Sequence, residues 1–189
     1  MAFNIMDSIK NKIAEKKEVS EGELNELFEE AVKRGAVLAQ LHFDAYGEDK
    51  DAVKDALVEF VGRISNERGV LYCVGEIKDV IERKGQFSTY SEVKLLAADF
   101  ESLLNISLKY GPVAVEILKP HKIELTVDQA QGLLLTASST TQDYVSFLLQ
   151  RVMKPEDFQK LQEHLKWRVE YGKKMVEGSE TPKEENKSR

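Results

Sequence analysis

Between residues 36 and 118 the spacing of apolar side chains alternates between two periods, and nothing else in the chain narrows the fold as much. In VLAQLHFDAYG, Val37, Ala39, Leu41, Phe43 and Ala45 alternate with Leu38, Gln40, His42, Asp44 and Tyr46. Period two marks a half-buried strand. Val53, Leu57, Phe60, Val61 and Ile64 then follow helical spacing. VLYCVGEIKDVIE returns to a strand, a Lys84-Gly85 turn follows, and FSTYSEVKLLAA is a second strand. Asp99 caps a helix with Phe100, Leu103, Leu104 and Leu108 on its stripe, and Tyr110-Gly111-Pro112 stops it. VAVEIL is a last strand.

The order strand, helix, strand, strand, helix, strand predicts an α+β protein with a ferredoxin-like βαββαβ core. Its first and third strands should lie in the middle of the sheet, and its two helices should cover one face.

Flanking segments are helical. Ile5, Met6, Ile9 and Ile13 form a stripe over 4–17, and Ser20 to Glu23 is a capping box opening a second helix that Gly35 can end. After residue 120, Thr126 to Gln129 is another capping box. Ser138-Ser139-Thr140-Thr141 is expected to interrupt or kink the helix it opens, and Pro155 starts the last one. The expected organisation is 1–35 N-terminal helices, 36–120 core, 121–177 helical extension and 178–189 a polar, disordered tail.

Composition limits function. The 189 residues carry a net charge of −6, which argues against binding phosphate backbones generally. Acids outnumber bases over 36–118 and nearly balance them over 119–177. One cysteine gives no intramolecular disulfide, and no apolar run approaches the ~20 residues that span a membrane. The N-terminus mixes charges throughout and lacks a secretory core. A cytoplasmic location and no membrane partner are expected.

Cys73 and Glu76 stand three apart in VLYCVGEI. An odd step puts them on opposite faces of a strand, so Cys73 should be buried with Leu71 and Ile77 under the helices. Glu76 joins Tyr72 and Val74 on the other face. Gly75 is where a bulge is expected.

That second face collects the candidate residues. The first strand offers His42, Asp44 and Tyr46, the third Tyr90 and Glu92, and the fourth Glu116. Its leading interpretation is a solvated or partner-covered face with cross-strand charge pairs. The alternative is a ligand platform in which His42, Asp44, Glu92 and Glu116 hold a divalent cation through N/O ligands. One histidine among scattered acids lacks the tight spacing of metal motifs. Tyr46, Tyr72 and Tyr90 could imitate base-stacking aromatics, but acidic surroundings repel phosphate. Apolar residues among the polar ones, Leu38, Val74, Ala114 and Leu118, call for a cover. The helical extension or a second copy is expected to supply it.

Elsewhere there is no P-loop, no G-x-G-x-x-G and no C-x-x-C. His121 and His164 stand alone. Trp167 lies off the apolar stripe of the last helix and is an interface candidate. That helix also carries Lys160, Lys166 and Arg168, a second route to RNA. With no catalytic constellation, the expected function is a non-catalytic binding or assembly protein, working with a protein partner or as a homo-oligomer through the sheet face or the last helix, with no cofactor. A metal-dependent enzyme or small-ligand protein is the alternative, and an RNA-associated protein the next.

Overall fold

The computed structural model describes residues 20–177. The expected 4–17 helix and the 178–189 tail lie outside the described residues. The chain divides into two compact units, the first ending at Thr140 and the second beginning at Thr141.

In the first unit, helix α1 (Glu21–Lys33) opens on the Ser20 capping box. It ends as the sequence predicts. Gly35 has φ +105, its amide donates to the Val32 carbonyl, and the Ala36 amide reaches the Ala31 carbonyl. These paired bonds are a Schellman cap. Strand β1 (Val37–Gly47) and helix α2 (Lys50–Ser65) follow, with Asp49 accepting from the Ala52 amide at 2.7 Å. Then come β2 (Val70–Ile77), β3 (Ile81–Arg83), β4 (Gln86–Ala97), α3 (Phe100–Tyr110) and β5 (Ala114–Lys119).

The fold is α+β with an antiparallel sheet in the order β2-β4-β1-β5. The first strand and the strand after the hairpin are central, as the βαββαβ order requires. The expected single second strand is instead two. Pairing with β4 breaks at Lys78, whose amide donates to the Tyr90 carbonyl and whose carbonyl accepts from the Thr89 hydroxyl at 2.6 Å. β3 then resumes alongside β4. Lys84 and Gly85 both have positive φ, 53° and 77°, which suits the twist of a two-residue hairpin.

Two cores share this sheet. On one face Val37, Ala39, Leu41, Phe43, Val93, Leu95 and Ala97 meet Leu57 and Ile64 of α2 and Leu103 and Ile106 of α3. Phe60 sits edge-on between Phe43 and Tyr110, with centroids 5.1 and 5.2 Å away. On the other face Leu38, Leu71 and Leu96 meet Phe28 and Ala31 of α1. The expectation for Leu71 is therefore overturned. The register slips between Val70 and Tyr72, so Val70 enters the first core and Leu71 the second. The bulge is here and not at Gly75. Gly75 answers a different need: a Cβ there would come 2.7 Å from Cγ1 of Val61, so its bareness lets α2 lie close on β2.

Helix α4 (Val127–Val152) starts on the predicted box, with the Thr126 amide donating to Gln129 and the Gln129 amide to Thr126. It runs unbroken through Ser138 to Thr141. The Ser139 and Thr140 hydroxyls both donate to the Thr136 carbonyl at 3.0 Å, satisfying themselves within the helix. Helix α5 (Pro155–Glu177) lies in the second unit.

Candidate binding surfaces

The face of the sheet opposite α2 and α3 has a covered end and an open end. At the covered end Phe28 presents its ring edge-on to Tyr72, 5.1 Å between centroids, and Lys94 Nζ stands 5.3 Å from the same ring. Glu29 pairs with Lys119 of β5, and that hydrogen bond holds the Glu29 carboxyl below its ordinary range. The cover expected from the extension or a second copy is supplied here by α1. Tyr72 is therefore no stacking platform. It is half-buried, and burial pushes its phenol up from its ordinary value. Cys73, on the first core's side, is pushed up to about 11 by burial.

The open end holds the other candidates in rows. Glu76, Glu92, His42 and Ala114 lie side by side across β2, β4, β1 and β5. Tyr90 and Asp44 pair in the next row, and Ser88 with Tyr46 beyond. Glu116 pairs with Gln40, in the row toward α1. Rows on one face are about 6.8 Å apart. Asp44 and Glu116 thus flank the His42 row from opposite sides, too spread to converge on one ion. Among the described residues no three His, Cys, Asp or Glu side chains could hold a metal. The His42, Asp44, Glu92 and Glu116 set does not form a metal centre.

Glu76 and Glu92 are directly opposed, a destabilising arrangement for like charges. Lys78 resolves it, its Nζ lying 2.6 Å from Glu76 and 3.4 Å from Glu92. The hydrogen bond to Glu76, joined by the charge of both carboxylates, raises Lys78 above the ordinary lysine value. Lys78 was not a sequence candidate. Its signal was its position two residues after Glu76, which puts it on the same face.

The larger exposed apolar surface is on the helices. Helix α4 has no buried residue, and its only charged residues are Asp128, Asp143 and Arg151. In the first unit Val127 is exposed, and Leu134 and Leu135 are 72% and 71% exposed. Leu133, Leu134 and Leu135 are consecutive, about 100° apart around the helix, so no single neighbour could cover all three. Thr136 reaches α3, donating to Glu101 at 3.4 Å. In the second unit α4 exposes Val145, Phe147, Leu148 and Val152. On α5, Trp167 stacks between His164 and Tyr171, centroids 5.9 and 5.2 Å away, with Trp167 and Tyr171 exposed. Trp167 is thus at the surface, as expected of an interface candidate. Among the described residues no helix is long and apolar enough to cross a membrane.

A search of curated proteins found no match, and neither did a search of solved structures. One family model does match, from residue 38 within β1 to residue 177 at the end of α5. The matched region includes both the sheet and the exposed helices, and on that match this chain belongs to the MJ0538 family.

Proposed function

We propose that this chain is a cytoplasmic binding and assembly protein that works without catalysis, and that its main contact surface is the apolar exterior of α4. One observation carries this. A helix of 26 residues, about 39 Å long, buries none of them and exposes leucines on more than one side. Exposed apolar surface of that extent marks a protein contact. The sheet's open end supports a lesser role, since its opposed carboxylates already share the Lys78 ammonium. The free, strongly protonated Cys73 suits a reducing compartment.

Burying one leucine side chain is worth ~1.5–3 kcal/mol. Leu134→Gln and Leu135→Gln should therefore each weaken association about tenfold or more. Sedimentation velocity of the full chain over a concentration series measures this, with native-cell complexes sized in parallel. A chain that stays monomeric alone, and has monomer mass in cell extract, refutes the proposal.

A further inference from the structure

We infer that strand β5 is a self-pairing edge, joining two copies of this chain into one continuous sheet with Val115 on the two-fold axis. This deepens the assembly proposal, because it names a second copy as one partner and a different surface as its seat.

β5 ends the strand order, so among the described residues no strand pairs with its outer side. Natural edges are usually blunted by charge or proline. Between Val113 and Leu118 the only charged residue is Glu116. Val113, Val115 and Ile117 are 65%, 46% and 39% exposed. The far edge is different: there Lys78 bridges Glu76 and Glu92 beside the end of β2.

The backbone of β5 presents usable groups. The His42 carbonyl points toward β5 and accepts from Val113 just ahead of the strand, so the Val113 amide is spent on β1 and the outward-facing backbone groups begin at Val115. By ladder alternation His42's partner Ala114, and Glu116 two residues on, direct their amides and carbonyls to β1. Val115 and Ile117 direct theirs to the free side.

Three registers of an antiparallel self-pair can be compared. Centring on Glu116 would set two carboxylates face to face. Centring on Ala114 would leave Ile117 beyond the pair, opposite Gly111. Centring on Val115 lets the two Val115 residues exchange both backbone hydrogen bonds. It also sets Val113 against the other copy's Ile117, so the exposed apolar residues meet as one strip. On the opposite face Glu116 falls against Ala114 and no like charges meet. The strand is self-complementary in this register, as an isologous interface requires.

The test is sedimentation of the full chain and two variants, with thermal unfolding to check each fold. Val115 is half exposed, so at concentrations low enough to keep both chains monomeric Val115→Lys should leave the unfolding midpoint unchanged. It sets two ammonium groups against each other on the axis, and self-association should weaken at least tenfold. Ala114→Lys places an ammonium opposite the second copy's Glu116. Association should tighten severalfold at low salt, and 0.5 M salt should remove the gain. Self-association unchanged by Val115→Lys overturns the edge, as does Ala114→Lys that weakens it. Self-association lost in Leu134→Gln but kept in Val115→Lys overturns the edge alone and leaves α4 as the contact surface. A chain monomeric throughout overturns the edge pairing, while a heteromeric complex in cell extract would still support α4.

Discussion

Replacing Phe28 by Ala tests whether α1 belongs to the folded sheet or merely rests beside it. Phe28 is 1% exposed and is the largest side chain that α1 places among Leu38, Leu71 and Leu96. Emptying a buried phenylalanine site costs ~3–5 kcal/mol. Within that sum the edge-on contact with Tyr72 is worth ~0.5–1.5 kcal/mol. The Lys94 ammonium near the ring adds about 0.5–1 kcal/mol. Phe28→Leu keeps most of the volume and removes only these ring contributions, so it should cost about 1–2.5 kcal/mol. Urea unfolding followed by circular dichroism gives both values, and a double-mutant cycle of Phe28→Leu with Tyr72→Leu isolates the ring pair. For a chain of this size the alanine variant should lose roughly 6–20 °C of melting temperature. A loss below about 1 kcal/mol for Phe28→Ala, within the range of ordinary surface substitutions, would mean that α1 leaves the sheet in solution. The second face would then be open along its whole length, and Tyr72 would return as a candidate platform.

Two further outcomes follow from local geometry and titration. Gly69 has φ +85, and a Cβ there would stand 2.3 Å from the Ser102 hydroxyl, so Gly69→Ala should cost more than the ~1–2 kcal/mol of backbone strain alone, with Ser102→Gly restoring part of the difference in urea melts. On the alkaline side, Cys73 is pushed up to about 11 by burial, and Tyr110 to about 12 by burial and its 2.5 Å hydrogen bond to Glu67. Both hold their protons more tightly folded than unfolded, so stability should be complete below pH 9 and fall as pH rises through 11, and Cys73→Ala should flatten the first part of that fall. On the acid side the Glu67 carboxyl is held below its ordinary value by hydrogen bonds from Lys109 and Tyr110, so its contribution should be complete above pH 4.5 and be lost as pH falls from there through the lowered folded value. Absence of either limb in pH-dependent melts would refute the Glu67–Tyr110 geometry or the burial of Cys73.

The parts of the fold legible in the sequence are those where one local rule decides. β1 alternates cleanly because one end of its second face is wet, and α2 shows its stripe because only one side meets the sheet. Gly35 and Gly111 announce helix ends through their left-handed backbone, and Asp99 announces a helix start through the carboxylate that accepts from the Ser102 amide. Leu71 was illegible because an apolar residue fits either core, so alternation could not reveal that Leu71 and Tyr72 share one face. The break at Lys78 was hidden for a similar reason, since Thr89 supplies a side-chain hydrogen bond where the ladder stops. That α1 covers Tyr72 depends on packing between distant segments, which periodicity does not encode. His42, Asp44, Glu92 and Glu116 were correctly placed on one face, but a shared face is not a shared point. The sparse charge of α4 can be read directly from its sequence. Its exposure is the property that only three-dimensional packing reveals.

The slip at the start of β2 also bears on how this chain tolerates changes of length. Leu71 is the extra residue of a bulge, with Val70 aligned to Ala97 and Tyr72 to Leu96. Deleting Leu71 would leave Val70 in the first core, Tyr72 under Phe28, and every partner from Cys73 to Ile77 unchanged. The same deletion inside β1, for instance at Gln40, would turn each later side chain to the wrong face. β2 can therefore lose a residue without losing its register, at the expense of Leu71's place in the second core, whereas the central strand β1 cannot.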